Sequence, residues 1–443
     1  MQEFLGGSKA FVWVWLGQVI SLLGSAMTWF ALMVWAYEQT GQATALALLG
    51  FFSFGPTLLL GPVAGALVDR WNRKLVLVLS DLSAGLATLA VLALYASGTL
   101  QVWHLYVIGF LAGAFQAFEY PAYAAAVTMM VPKDQYARAS GMLELAWSAS
   151  SVVAPVLAGM LLGRIGIAGI MTIDVITFVI AIGALLFVAI PEPTRSAAGS
   201  EGQGSLWKES LYGFRYVWER PSLLGFQLLL AVGNLADYAA FILFAPMILA
   251  RSGSDELALG SVQSAIAVGG VAGGVLLSVW GGPKRRIHGV LIGWSLSGVG
   301  ILLMGLGSAV PLWLLAGLIY GFLEPIVNGS VQAIWQVKVA PDVQGRVFST
   351  QLLMSQATMP LAMLLAGPLA DQIFEPAMMS GGSLAEAFGW LVGTAPGAGM
   401  ALLIALCGGA VLLLPLLGYA IPAVRDIEEL VPDYDGCMAE TSA

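Results

Sequence analysis

The sequence predicts an all-α polytopic membrane protein, with twelve transmembrane helices in two pseudo-symmetric six-helix bundles. Three observations carry that prediction: an oily composition, a dozen apolar runs, and basic residues confined to alternate connections. The chain has 443 residues, of which 59% are hydrophobic and only 10% charged. Soluble domains carry about 25% charged residues, so a water-soluble chain is excluded at once.

A bilayer-spanning helix needs roughly 20 mostly apolar residues. Suitable runs lie at 11–37, 43–68, 75–97, 101–130, 140–163, 167–190, 222–250, 257–281, 287–309, 311–338, 346–374 and 397–421. The first, from Phe11 to about Ala36, is too long for the apolar core of a signal peptide and reads as the first transmembrane helix. Twelve crossings put both termini on one side. If that side is cytoplasmic, 16 of the 18 Lys and Arg residues fall inside, and only Arg164 and Arg251 fall outside. This is the positive-inside distribution, and it also checks the helix count, because one missed helix would invert everything downstream.

The longest polar connection, 191–221, opens with Pro, Gly and Ser as a flexible linker does. Its second part, LWKESLYGFRYVWER, suits a short amphipathic helix on the inner surface. The linker divides the chain into an N-terminal bundle (1–190) and a C-terminal bundle (222–421), with an acidic tail (422–443) expected to be solvated. The halves repeat weakly. VPKDQYARAS (131–140) parallels APDVQGRVFS (340–349), and NRK (72–74) parallels PKRR (283–286). Parallel six-helix repeats are a transporter architecture.

Between the second and third spans the sequence reads GALVDRWNRKL. Gly65, Asp69, Arg70, Arg73 and Lys74 resemble the signature loop of the major facilitator superfamily, with Asn72 where that pattern has glycine. Asn tolerates a left-handed backbone, so the departure is mild. APVLAGMLL (154–162) is similar to the exporters' G-P-x-x-G-G motif, with Ala154 and Ala158 in place of glycines. The stretch 121–142 looks like the macrolide-efflux-like branch. The resemblance spans essentially the whole chain. It implies a secondary transporter working by alternating access, and proton-coupled export of an amphipathic small molecule such as a drug, a macrolide-like compound or a secondary metabolite. It also implies that the first, fourth, seventh and tenth helices line a central cavity.

The loop has a physical reading as well. The resemblance places Asp69 against the N-terminus of the eleventh helix, near 346–349, where the helix dipole favours a carboxylate by about 0.3–1 kcal/mol. Arg70, Arg73 and Lys74 would bridge to Asp81, Asp134 or Glu144, and with Arg138 and Arg346 they form an inner gate. The competing reading makes the Arg and Lys residues topology anchors only.

Acids inside the bilayer are expensive, costing roughly 2.5–3.5 kcal/mol each on insertion scales. Glu119, Glu144, Asp174, Asp237 and Glu324 stand out. Glu144, six residues past Arg138, is assigned to the gate, and Asp174 to structure. Glu324, Asp237 and Glu119 are candidates to take and release the coupling proton; the alternative is that they are held by structural hydrogen bonds or bind a cationic substrate. Along 311–338, Tyr320, Glu324, Asn328, Gln332 and Trp335 recur at spacings of four, four, four and three, which places them on one helix face. Pro325 is expected to bend that helix. Asn234 accompanies Asp237, Gln18 heads a milder polar stripe with Ser21, Ser25 and Thr28, and Tyr123 follows Glu119. Trp29, Tyr123, Phe241 and Trp335 supply aromatic walls for a bulky amphipathic substrate; helix packing is the alternative for each.

No P-loop, HExxH or Cys/His cluster occurs, and His104 and His288 fall at opposite membrane faces. No cofactor, metal, catalytic residue or nucleic-acid partner is expected. The expected partners are a small-molecule substrate, protons and membrane lipids, and the expected state is a monomer in a bacterial-type plasma membrane. Two rival functions stay open: uptake or facilitated passage of a metabolite, and a non-transporting lipid- or ligand-binding membrane protein.

Overall fold

Lipid offers no hydrogen bonds, so an apolar run that crosses a bilayer must satisfy its own backbone, and a helix does so. The computed structural model describes residues 9–68, 72–131, 136–188, 214–339 and 344–431, and no strand occurs among them. The long helices are α1 (Lys9–Thr40), α2 (Ala43–Val68), α3 (Arg73–Ala96), α4 (Val102–Met130), α5 (Tyr136–Phe187), α6 (Pro221–Ser252), α7 (Glu256–Trp280), α8 (Arg286–Leu306), α9 (Val310–Lys338), α10 (Gln344–Gln356), α11 (Thr358–Leu369) and α12 (Ala398–Gly418).

By length and composition, ten helices among the described residues can cross a membrane. One of them, Leu145–Phe187, runs 43 residues, too long for one crossing. Its backbone breaks at Gly166, where φ is 66°, a left-handed value that glycine adopts at no steric cost. The sequence puts the boundary between two spans at that point.

The chain divides into two compact units, one comprising 1–195 with 248–264 and the other 196–247 with 265–443. In the first, α1 lies along the 167–187 arm of α5. Glycines allow the approach: a Cβ at Gly17 would sit 3.1 Å from the Ala184 Cβ, and one at Gly24 would collide with Thr177 and Asp174. Small residues let backbones close where lipid supplies no hydrophobic drive. In the second unit, Gly298, Gly305 and Gly408 bring α8 and α12 into backbone contact, and Gly269, Gly273 and Gly321 do the same for α7 and α9.

Helix ends are held by specific groups. Asn72 is the N-cap of α3, and its side chain accepts from Leu75 N–H at 3.0 Å. Its φ of −65° is extended rather than left-handed, so the residue that departs from the signature loop serves as a cap. Lys74 donates from Nζ to the carbonyls of Leu186 and Val188 at 3.0 and 2.7 Å, the open acceptors at the end of α5. At the start of α12, Glu375 accepts from Gly397 N–H and Met400 N–H at 3.2 and 2.9 Å. Glu375→Ala is expected to cost about 0.5–2 kcal/mol of stability, read as a lower thermal midpoint of the purified protein.

The tail is docked over its first part rather than solvated. Glu429 pairs with Arg285, and Glu428 accepts from Ile287 N–H at 3.1 Å in the first turn of α8. Lys338, 5% exposed, donates from Nζ to the carbonyls of Glu428 and Val431 at 2.5 and 2.6 Å. A buried ammonium needs acceptors, and the tail supplies them. The short helical stretch 214–218 of the linker joins the same cluster, with Tyr216 donating to the Lys338 carbonyl at 3.4 Å.

Candidate substrate and coupling site

The polar stripe of α9 is half legible in the fold. Glu324, Asn328 and Gln332 are exposed along one face, while Tyr320 and Trp335 at its ends are buried. Asn328 donates from Nδ2 to Glu324 Oε1 at 3.2 Å, an i,i+4 contact that orients the carboxylate. On α6, Asp237 lies within electrostatic range of Glu324, with the Tyr320 phenol beside it. The Asp237 Oδ1 atom is buried and makes no hydrogen bond. Spacing on two separate helices could not show that these acids fall in one region; the packing of α6 against α9, through Phe241, Phe244 and Tyr320, puts them there.

An aromatic group adjoins the pair. Phe241 stacks on Tyr320 with ring centroids 6.4 Å apart, and Phe244 meets both rings at 5.9 Å, edge-on. Such rings give an apolar body a surface with little shape demand. Phe241 is 45% exposed, so it can meet a ligand. Trp335 is fully buried, and its Nε1 has no partner, so it packs the helix rather than presenting a face. Asn234 is half-buried. Gln227, also fully buried, donates to Ser355 Oγ at 3.2 Å.

The first unit carries a second acidic group. Glu119 on α4 lies within electrostatic range of Asp81 on α3, and Tyr123 lies within range of both. That hydroxyl is buried and unpartnered. Gln18 on α1 donates from Nε2 to Asp81 Oδ2 at 2.8 Å. Asp81, read from the sequence as a partner for the basic loop, sits instead with Gln18 and Glu119. The available signal was spacing: Gln18 and Ser25 on α1, like Asp81 and Thr88 on α3, are seven apart and share a face. Trp29, 42% exposed, continues that face of α1.

Of the predicted inner gate, Asp69 and Arg70 lie outside the described residues, as do the side chains of Arg73, Arg138, Glu144 and Arg346. Gly65 falls in the last turn of α2, and Lys74 makes the carbonyl contacts given above. Among the described residues, no cluster of His, Cys, Asp and Glu could hold a metal ion.

Comparison with known proteins agrees with this architecture. The chain is 27% identical over 383 residues to macrolide efflux protein A of Streptococcus pyogenes, covering 84% of this chain and 92% of that protein. It is 26% identical over 362 residues to the multidrug efflux pump Tap of Mycolicibacterium fortuitum, covering 79% and 86%. Among solved structures, a bacterial homologue of the human lysosomal transporter Spinster, inward-facing and unoccupied, matches with a TM-score of 0.70 at 16% identity, over 96% of this chain and 99% of that one. The family model described as Major Facilitator Superfamily matches residues 14–363. An all-helical chain with membrane-length helices, a polar stripe and intramembrane acids, matched over most of its length by that model, belongs to the Major Facilitator Superfamily.

Proposed function

We propose that this transporter exports an amphipathic small molecule of drug, macrolide-like or secondary-metabolite type, driven by inward proton flow through alternating access. The observation that carries the reading is the Asp237–Glu324 pair against Tyr320. Two carboxylates placed together in a bilayer, with no basic residue between 221 and 250 or between 311 and 337, repel each other and cost solvation. Protonation of either one relieves both penalties. A cationic or hydrogen-bonding ligand relieves them too, so proton and substrate compete for the same groups, which is the logic of antiport. Phe241 supplies the apolar contact beside the acids, and Asn328 and Gln332 supply amide groups along the same face of α9. Glu119, with Asp81, Gln18 and Tyr123, forms a second polar site in the first unit.

The domain reading follows the same line, with bundles 1–190 and 222–421 rocking about the linker and both termini cytoplasmic in the plasma membrane. In this proposal the signature-loop residues Asp69, Arg70 and Arg73 act in an inner latch that breaks when the inside opens. The efflux names of the relatives support export over uptake.

Everted membrane vesicles test the whole reading. A radiolabelled macrolide is expected to accumulate inside them when respiration acidifies the lumen, and to leak out when nigericin collapses the pH gradient. Accumulation that survives the collapse rejects proton coupling. No accumulation of any amphipathic probe, in vesicles where the protein is present and folded, rejects export.

A further inference from the structure

Asp174, on the 167–187 arm of α5, is 2% exposed. Two hydroxyls from other helices reach it: Ser25 Oγ of α1 donates to Oδ1 at 3.0 Å, and Thr88 Oγ1 of α3 donates to Oδ2 at 2.8 Å. Thr28, one turn along α1 from Ser25, faces the same carboxylate. It is 5% exposed, and its hydroxyl makes no hydrogen bond. Gly24 leaves the room, since a Cβ there would lie 3.1 Å from Asp174 Oδ1. Five oxygens from three helices therefore gather at one buried point.

A carboxyl group buried here is neutralised either by a proton or by a cation. Each carboxylate oxygen has a hydroxyl within hydrogen-bond distance, and a hydroxyl can donate to an ionised carboxylate or accept from a protonated one. An ionised carboxylate this deep in a bilayer needs a counter-charge. None is built in, because 11–37, 75–96 and 167–187 contain no Lys, Arg or His. The acids on those lengths are Asp81, which bonds to Gln18 one seven-residue step away, and Asp174 itself. Seven residues are about 10 Å of helix, so Asp81 is not a partner for Asp174. Hydroxyl oxygens keep lone pairs after donating their protons, and sets of oxygens alone suit hard cations. One carboxylate balances one positive charge.

We propose that Asp174, Ser25, Thr28 and Thr88 form a binding site for a monovalent alkali cation of sodium type. Ser25, exposed on the face of α1 that also carries Gln18 and Trp29, is its entrance. The site is separate from the Asp237–Glu324 pair, and the inference does not rest on the export reading. It makes the chain responsive to the sodium gradient as well as to pH.

Thermal unfolding of the purified full-length protein in detergent tests it, with NaCl, KCl or choline chloride at matched ionic strength. A ligand that binds the folded state raises the midpoint in a saturable way. The midpoint is expected to climb by several degrees with NaCl and to stay level with choline chloride. Asp174→Asn is expected to abolish the sodium response, and Thr28→Val to move its half-point to at least tenfold higher NaCl. Thr28→Val removes one hydroxyl and keeps the side chain's shape and burial, so it decides the matter if Asp174→Asn fails to fold. A wild-type midpoint that is the same in all three salts overturns the site. So does a Thr28→Val protein with the wild-type sodium response, or a midpoint that follows pH alone.

Discussion

Glu324→Gln is expected to reduce pH-gradient-driven accumulation in everted vesicles to the level of vesicles lacking the transporter, a loss of at least about tenfold in the driven rate. The substitution keeps the shape and one hydrogen-bonding oxygen, so Asn328 retains its acceptor at the Glu324 position. It removes the repulsion on Asp237 and the capacity to carry a proton. Energy-independent exchange of preloaded substrate should therefore persist while uphill transport is lost. That split separates a coupling role from a structural one, since a misfolded protein loses both. Full uphill transport by Glu324→Gln at every pH would remove Glu324 from the coupling machinery and leave Asp237 as its bearer.

The second large effect is steric. Gly321 lies three residues before Glu324 on α9, and a Cβ there would land on the Ile266 carbonyl oxygen of α7, a backbone atom with no rotamer to escape into. Gly269 and Gly273 meet α9 at Leu318 and Phe322 in the same interface, so the two helices cannot part at one point alone. Gly321→Val is expected to destabilise by about 3 kcal/mol or more, the upper end for overpacking, and to lower transport by displacing Glu324 from Asp237. Gly274, with nothing within 4 Å of its Cβ position, provides the control. Gly274→Ala is expected to change stability by no more than about 0.5 kcal/mol. Equal thermal midpoints for the two variants would show that the close approach of α7 and α9 does not bear on stability.

Both expectations depend on residues whose partners are distant in sequence. Glu324 and Asp237 stand out individually because charge is costly in lipid, and the sequence flags them on that ground alone. That the two fall within electrostatic range is a property of how α6 packs on α9. Asp81 shows the reverse case. Seven residues into a span that begins beside a basic loop, it reads as an ion-pair partner for that loop; the packing of α3 against α1 and α4 gives it to Gln18 and Glu119 instead. The tail is similar. RDIEEL reads as solvated acid, and its docking depends on Arg285, Ile287 and Lys338, some ninety to one hundred and forty residues upstream. Asp174 was read as structural, and only its cross-helix hydroxyls and the unpartnered Thr28 give it a chemistry of its own.

The sequence alone determined the class of molecule, the confinement of its basic residues to alternate connections, and the family signature. Each follows from a local rule: apolar length against bilayer thickness, charge against membrane topology, and a contiguous motif. It also marked the individual acids, because the cost of a buried charge is paid residue by residue. Tertiary structure decided which acids share a site, which glycines let helices touch, and which lysine the tail satisfies. Those outcomes depend on side chains from different helices meeting at distances of about 3 Å, and a helical pattern fixes only which face a residue is on, never which neighbour that face will find.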